Sequence, residues 1–279
     1  MRVGVSLPIR EMTGDFAAIK DFAQAAEDLG LTHLRIPDQI MRPGSGYVNE
    51  PMMLLSNIAA VTKVIELVPS VIILPARDTV YFAKQAAELD NLSEGRLRLG
   101  VGIGSSEAEY GYLGKEFSNR GRRCSEQMRL LQELWVQDEV NFSGDFHNIS
   151  GAGLNPLPVQ RPIPMWIGGR AIPSQPVVER IGQISNGWFV LCSPNDIEGV
   201  RAKIAAEAIK AGRSPDEIGE EAGVAVVGER EHEWKRRVKE WKKIGLSHLC
   251  LRTLGGGLKV TQHVKRLQEV IKELPETLA

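Results

Sequence analysis

The stretch ELVPSVIILPARDTVYFAKQAAELDNLSEGRLRLGVGI, Glu66–Ile103, combines two kinds of hydrophobic pattern. It opens with a mostly apolar run, Glu66–Leu74, and closes with a second run, Arg96–Ile103. Between them, Thr79–Leu92 has apolar residues at helical spacing, and Glu94-Gly95 follows as a stop signal. Two strands joined by a helix form a βαβ unit, so this stretch predicts a parallel sheet.

The same alternation continues in both directions along the chain. Each further apolar run precedes a segment with helical spacing, which gives eight strand-helix units in all. About 250 residues is typical of eight such units, and the chain has 279. We therefore predict an α/β fold, a (β/α)8 TIM barrel that forms one domain over residues 1–279. The other predicted strands are Arg2–Pro8, His33–Pro37, Met165–Ile167, Gly187–Cys192, Gly223–Val227 and His248–Leu254.

One segment, Gln137–Pro164, does not fit the alternation. It contains Gly144, Gly151 and a short β-like piece, Glu139–Phe142. We predict that this segment is an excursion between the fourth helix and the fifth strand, and that it contains a hairpin.

The composition excludes several classes of protein. Lys+Arg is 34 and Asp+Glu is 35, so no basic excess supports binding to nucleic acid. The 3 cysteines include no CxxC pair, which argues against a disulfide framework and a cysteine zinc site. No run approaches the roughly 18 apolar residues of a membrane span, and the N-terminus lacks the apolar stretch of a signal peptide. We therefore expect a cytoplasmic protein with no membrane partner.

Active-site residues of a TIM barrel lie at the C-terminal ends of its strands. Strand two delivers Asp38 and Gln39 there, and Glu107 and Glu109 follow strand four in a predicted loop. No HxH pair follows strand one and no lysine ends a strand, which argues against a histidine metal site and a Schiff-base aldolase. We predict no metal site. The candidate catalytic residues are Asp38, Gln39 and Glu107.

Glycines mark two of the predicted strand ends. Gly102 and Gly104 point to one face of strand four, where the missing side chains permit close approach of a flat ring or of a bulkier neighbour. Gly168-Gly169-Arg170 ends strand five just before a helix. Backbone N–H groups, a helix N-terminus and an arginine can bind a phosphate there. A tight turn between strand and helix would explain the same glycines.

Several motifs together resemble a known family. The chain is similar, essentially end to end, to the bacterial luciferase-like monooxygenase superfamily and, within it, to the shorter coenzyme F420-dependent oxidoreductases. The resemblance implies a (β/α)8 barrel with an excursion after the fourth unit and a flavin-like ring in the barrel mouth. The motifs are LPARDTVYFAKQAAELDNLSEGRLRLGVGIG (Leu74–Gly104), LLQELW (Leu130–Trp135), LNPLPVQRPIPMWIGG (Leu154–Gly169) and NGWF (Asn186–Phe189).

The resemblance implies that the phosphate of this cofactor lies near strand five. Carried over by position, Gly168, Gly169 and Arg170 would lie near it. Many members of the family have a polar pair after the two glycines. Because Arg170-Ala171 stands there instead, Arg170 or Ser174 would rebuild the phosphate contact.

The resemblance also implies the residues that lie near the ring. Ser70-Val71 matches a non-prolyl cis peptide bond in a bulge on strand three, behind the deazaflavin, although an ordinary trans strand is the alternative. Asp38, Gly102 and Gly104 complete the predicted cofactor site.

Two positions differ from the sugar-phosphate dehydrogenases of this family. Those enzymes have Asp-His at the end of strand two, with the histidine as base, where this chain has Asp38-Gln39. A glutamine cannot exchange a proton near neutral pH. Those enzymes also have a catalytic glutamate where Ser105 stands. The sequence therefore disfavours sugar-phosphate oxidation.

Three functions are compatible with the sequence. The first is an F420-dependent oxidoreductase that transfers a hydride between the deazaflavin and a small organic substrate, and the short chain favours it. The second is an FMN-dependent monooxygenase that uses O2 and a separate reductase. The third is a cofactor-binding protein without turnover, since the catalytic histidine is missing. We also expect a homodimer to which Met52 and Met53 contribute.

Overall fold

The computed structural model describes residues 1–41 and 48–274. In this part of the chain, nine parallel strands form one sheet and two antiparallel strands form a hairpin. The strands, in chain order, are β1 (Arg2–Ser6), β2 (His33–Ile36), β3 (Glu66–Pro69), β4 (Ile72–Ile73), β5 (Leu99–Gly102), β6 (Val140–Ser143), β7 (Asn148–Ala152), β8 (Met165–Ile167), β9 (Gly187–Val190), β10 (Gly219–Ala225) and β11 (His248–Arg252).

The sheet closes into a barrel where β3 and β4 meet. Its strand order is β3-β2-β1-β11-β10-β9-β8-β5-β4, so β3 and β4 lie at opposite ends of the order although they are close in the chain. Leu67 of β3 bridges to Leu97, just before β5, and Ile72 of β4 pairs with Val101 of β5. β3 and β4 are therefore two halves of one barrel strand. The predicted (β/α)8 barrel is confirmed, with eight strand positions.

Helices cover the outside of the barrel as the helical spacing predicts. In the first helix, Ile19, Phe22 and Ala26 are buried, and the Asp15 carboxylate caps the N-terminus by accepting from the Ala18 N–H at 2.9 Å. None of the helices in the described residues is long and apolar enough to cross a membrane. The helices are α1 (Phe16–Asp28), α2 (Pro51–Ala59), α3 (Thr79–Leu92), α4 (Glu107–Tyr112), α5 (Arg120–Leu134), α6 (Gln175–Gln183), α7 (Ile197–Lys210), α8 (Trp234–Ile244) and α9 (Gln262–Glu273).

The predicted excursion between the fourth and fifth barrel units is present. It contains the β6–β7 hairpin, which lies between α5 and β8 in the chain. The Glu126 carboxylate on α5 accepts from the backbone N–H groups of Asp145 at 2.7 Å and Phe146 at 2.9 Å. These bonds attach the turn of the hairpin to the helix layer.

Strands three and seven differ most from their predicted bounds. Strand three is not continuous over Glu66–Leu74, because the chain leaves the ladder between β3 and β4. Strand seven begins at Gly219 rather than Gly223, because Glu220 and Glu221 interrupt the apolar pattern that predicts a strand. Both glutamates belong to the strand, where their charges are neutralised by ion pairs.

Candidate active site

A bulge between β3 and β4 brings Val71 into the barrel mouth. The Ser70-Val71 peptide bond is cis, as the resemblance implied. A Cβ atom built on Gly102 would lie 2.6 Å from Val71 Cγ2, and one built on Gly168 would lie 2.5 Å from Val71 Cγ1. Both distances are too short for a real contact between carbon atoms, so only glycine fits at either position. The sequence predicted that either a flat ring or a bulkier neighbour approaches Gly102, and in the structure the Val71 side chain is that neighbour.

Ile73 continues this apolar wall along the mouth. A Cβ atom on Gly104 would lie 2.8 Å from Ile73 Cγ2, and the positive φ of Gly104, 63°, also favours glycine. Ile73 packs with Tyr110 in one small cluster, while Val71 packs against Trp166 in another. The predicted glycines and the predicted bulge therefore meet at the same place.

Asp38, which follows β2, forms hydrogen bonds with the bulge between β3 and β4 and with Arg77. Its Oδ2 accepts from the Ile73 N–H at 3.0 Å, and its two oxygens accept from Arg77 Nη2 at 3.1 and 3.0 Å. Its side chain is 2% exposed, and Arg77 also pairs with Glu50 at 2.9 Å. Both carboxylate oxygens of this candidate catalytic residue are thus occupied by protein donors.

Ser70 accepts a hydrogen bond from an ion-pair network that crosses the barrel interior. Arg35 Nε donates to Ser70 Oγ at 3.0 Å, and Arg35 Nη1 donates to Glu221 Oε1 at 2.8 Å. Arg98 Nη1 donates to the other oxygen of Glu221 at 2.8 Å. The Arg35 guanidinium also lies 4.4 Å from the centroid of the Phe189 ring. The Ser70 hydroxyl therefore faces the barrel interior.

The network fixes the charge states of the barrel interior. Burial alone would raise the pKa of Glu221, but the hydrogen bond with His33 and the charges of Arg35 and Arg98 outweigh it and hold that pKa well below its usual range. Burial lowers the pKa of His33 against the attraction of Glu221. Burial, together with the charge of Arg98, lowers the pKa of His248 to about 3. Glu221 is therefore ionised and both histidines are neutral at pH 7.

One group in the interior has the composition of a metal site. His33, Glu221 and Cys250 offer ligand atoms within 4.8 Å of one another. Both oxygens of Glu221 already accept from guanidinium groups, whose charges oppose a dication. Burial also raises the pKa of the Cys250 thiol, and metals bind the thiolate. The group is better explained as part of the hydrogen-bond network, and the absence of a metal stays a prediction.

The loop after β8 presents unused hydrogen-bond donors. The Gly168 N–H donates to the Val101 carbonyl at 2.8 Å, whereas Gly169 and Arg170 are exposed. Within residues 1–41 and 48–274, neither the N–H groups of Gly169 and Arg170 nor the Arg170 guanidinium has a hydrogen-bond partner. Ser174, also exposed, precedes α6 as its N-cap and makes no side-chain capping bond. The four residues predicted to lie near a phosphate thus share one loop, in which all but Gly168 are exposed.

The other candidate catalytic residues are less central. Gln39 is half-buried beside Asp38, and Glu107 is exposed at the start of α4. The predicted loop is therefore wrong, because Ser106 caps this short helix by accepting from the Glu109 N–H at 3.3 Å. Glu109 is 2% exposed and accepts from the Met41 N–H at 3.1 Å. The S-x-x-E spacing of a capping box was the signal that could have predicted this helix.

The chain matches a known protein family over most of its length. A family model of luciferase-like monooxygenases matches residues 1–260, which include every barrel strand. This chain belongs to the luciferase-like monooxygenase family. The resemblance drawn from the sequence motifs is confirmed.

Members of the luciferase-like monooxygenase family that resemble this chain use two cofactors. The F420-dependent glucose-6-phosphate dehydrogenase of Gordonia bronchialis is 30% identical over 209 residues, which are 72% of this chain and 60% of that protein. The FMNH2-dependent dimethylsulfone monooxygenase of Pseudomonas putida is 32% identical over 126 residues, which are 44% of this chain and 33% of that protein. The chain is therefore related to oxidoreductases of both kinds.

Solved structures show the same luciferase-like barrel. The F420-dependent secondary alcohol dehydrogenase in complex with an F420-acetone adduct superposes with a TM-score of 0.82 at 16% identity, over 99% of each chain. At this identity the match supports the fold.

Three charged residues that organise this luciferase-like site were not among the predicted site residues. Arg35 interrupts the apolar strand HLRIP, which is a signal that it has a buried partner. Arg77 follows strand three, where an active-site role could be expected. Glu221 lies next to a second glutamate near a turn, and nothing in that pattern indicates burial.

Proposed function

We propose that this protein is an F420-dependent oxidoreductase that transfers a hydride between the deazaflavin and a small organic substrate. The observation that carries the proposal is the wall formed by Val71 and Ile73 against Gly102 and Gly104. A rigid apolar wall in the barrel mouth suits the face of a flat ring, which it can orient without reacting with it. A reduced deazaflavin supplies a hydride when it is bound.

The loop after β8 supports the same proposal. Its unpartnered N–H groups and the Arg170 guanidinium offer charge-assisted hydrogen bonds to a phosphate, and the Ser174 hydroxyl offers one more donor. Gly168 belongs both to this loop and to the contact with Val71, so ring wall and phosphate donors are neighbours. The residues present therefore fit a flavin-like ring that carries a phosphate.

The state of the two predicted candidates at the end of β2 favours hydride transfer without a strong base. Asp38 is occupied by Ile73 and Arg77, and Gln39 cannot exchange a proton. The described residues position the bulge between β3 and β4 from two sides. Arg35 donates to Ser70 on one side, and Asp38 accepts from the Ile73 N–H on the other. Hydride transfer between a bound ring and an acceptor depends strongly on such positioning.

The FMN-dependent monooxygenase remains the second candidate because the Pseudomonas relative uses FMNH2. The F420-dependent relative is aligned with the larger share of this chain, 72% against 44%, which favours the deazaflavin. A protein that binds the cofactor without turnover is the third candidate.

The experiment is a titration of the purified protein with F420 and, separately, with FMN, followed by absorbance. The proposal expects tighter binding of F420, and then loss of the F420H2 absorbance with at least one acceptor from a panel of small carbonyl, imine and alkene compounds. Tight FMN binding without F420 binding would refute it in favour of the monooxygenase. F420 binding without turnover on any acceptor would favour the binding protein.

We also propose a homodimer that forms through α2 and α3. Met52 is 3% exposed and packs in the core, so the proposal rests on Met53 rather than on Met52. Met53 is 70% exposed, and Val80 and Tyr81 are exposed on the neighbouring helix. Light scattering of the wild type and of Met53→Asp tests this, and a mass of one chain for the wild type would contradict it.

A further inference from the structure

A groove between α5 and α6 lies outside the barrel, in the helix layer. It encloses a cavity of about 400 Å³, which is within the size range of small-molecule sites. Gly121, Ser125 and Arg129 line it from α5, and their spacing of four residues places them on one face of that helix. Arg180 lines it from α6.

Arg180 is largely buried and makes no ion pair in the part of the chain that the structure describes. Its residue is 5% exposed, and its Nε donates to Ser125 Oγ at 3.2 Å. In residues 1–41 and 48–274, its two terminal nitrogens have no hydrogen-bond partner and no carboxylate lies within 4.0 Å. Nη2 lies 3.5 Å from the Cβ position of Gly121, which places the guanidinium in contact distance of α5. Arginine is rarely buried to this extent unless an anion pairs with it.

The rim of the groove is also positively charged. Arg129 is exposed and makes no ion pair with the described residues. Arg122 pairs with Asp145 only at 3.6 Å and with both side chains more than 70% exposed, 75% and 72%, a pair that holds it weakly. One carboxylate, that of Glu179, lines the groove, and it accepts from Gln175 at 3.2 Å. Three arginines thus face one glutamate.

We propose that this groove binds the oxyanion group of a ligand, a phosphate or a carboxylate, on Arg180, with Arg129 and Arg122 at the rim. The forked donors of a guanidinium match both groups, and burial strengthens the contact. Two sources share this chemistry. One is an anionic part of a cofactor bound in the barrel, since α6 follows the Ser174 loop directly, and this source rests on the proposed function. The other is a separate small anion, which does not depend on that function.

The test is calorimetric titration of the full-length protein with inorganic phosphate and with citrate, in buffer free of phosphate and sulfate. Arg180→Met, which keeps the apolar stem, should weaken binding about 10- to 100-fold, as expected for a lost charge-assisted bond. Arg129→Ala should weaken it a few-fold. Lys265→Ala removes an exposed cation on α9 and should leave it unchanged. Because Arg180 is buried, its variant is compared only if its circular dichroism matches the wild type, and Arg129→Ala gives an independent result.

Repeating the titration with F420 and FMN distinguishes the sources. If Arg180→Met weakens cofactor and phosphate binding together, the cofactor supplies the anion; if it weakens phosphate binding alone, a separate ligand does. Either result supports the site. The inference is wrong if neither anion binds the wild type, or if Arg129→Ala and Lys265→Ala bind them equally. Failure of F420 to bind would refute the proposed function and leave the phosphate result intact.

Discussion

Val71 occupies the space directly over Gly102, so a methyl group on that glycine would lie 2.6 Å from Val71 Cγ2. We predict that Gly102→Ala displaces the Val71 side chain and with it the wall of the barrel mouth. Overpacking of this kind costs about 1–3 kcal/mol of unfolding free energy. Urea unfolding should report that loss, and the dissociation constant of F420, the proposed cofactor, should rise.

The matched control is Gly199→Ala on α7, where a Cβ atom meets nothing within 4 Å. Alanine is the better helix former by about 1 kcal/mol, so this variant should be as stable as the wild type or more so, with unchanged cofactor affinity. Equal behaviour of the two variants would show that Val71 is free to move away.

We predict that the charge of Glu221 contributes strongly to the unfolding free energy of the barrel. Glu221→Gln keeps the shape of the side chain but removes the charge that faces Arg35 and Arg98. Breaking a buried ion pair on one side costs about 3–5 kcal/mol. In Glu221→Gln, Arg35 loses the carboxylate it pairs with, and Arg98 keeps its ion pair with Glu66 at 2.7 Å. Urea unfolding measures the difference.

An exposed glutamate provides the comparison for that variant. Glu198 pairs with Arg201 at 2.6 Å but is 76% exposed, so Glu198→Gln should change the unfolding free energy by about 1 kcal/mol or less. A similarly small loss for Glu221→Gln would mean that the interior network contributes little to stability.

The barrel was predictable because each of its units is a local pattern. Apolar runs and helical spacing repeat along the chain, and closure follows from having eight units. β10 was the exception: Glu220 and Glu221 interrupt its apolar run, and only the closed barrel brings Arg98 and Arg35 close enough to neutralise Glu221. Such cross-barrel partners are distant in sequence, so no local pattern reports them.

For the candidate site, the sequence predicted several of the residues but not their contacts. The family resemblance led to Ser70-Val71 and to the glycines, and the structure brings Val71, Gly102 and Gly168 together. Packing between strands decides which group fills the space next to Gly102. The sequence alone therefore allowed either a cofactor ring or a neighbouring side chain there. The same applies to Asp38, whose position at a strand end does not reveal that its oxygens accept from Ile73 and Arg77.

His248 should make the protein less stable in mild acid. Its pKa is lowered to about 3 in the folded state, whereas an unfolded histidine titrates near about 6.5. Between these values the unfolded chain binds a proton that the folded chain does not, so the unfolding free energy falls as pH falls, by up to about 1.4 kcal/mol per pH unit. The contribution is complete above about pH 6.5.

Urea unfolding at pH 7 and pH 5 tests this expectation. His248→Phe keeps a ring beside Trp166 and should show a smaller loss between the two pH values than the wild type. His232→Asn changes an exposed histidine, 77% exposed, and should keep the wild-type dependence. An unchanged pH dependence in His248→Phe would mean that His248 is not kept neutral by the fold.

Asp38 should act on the reaction by holding the bulge. Asp38→Asn keeps an oxygen for the Ile73 N–H but removes the charge that pairs with Arg77, an interaction worth about 1.5–3 kcal/mol. We expect lower stability and a higher KM for the cofactor, with the pH profile of kcat unchanged in shape, because both oxygens of Asp38 are occupied. Glu107→Gln, at an exposed position, should change neither quantity. Loss of one limb of the pH profile in Asp38→Asn alone would instead identify Asp38 as the group that exchanges the proton.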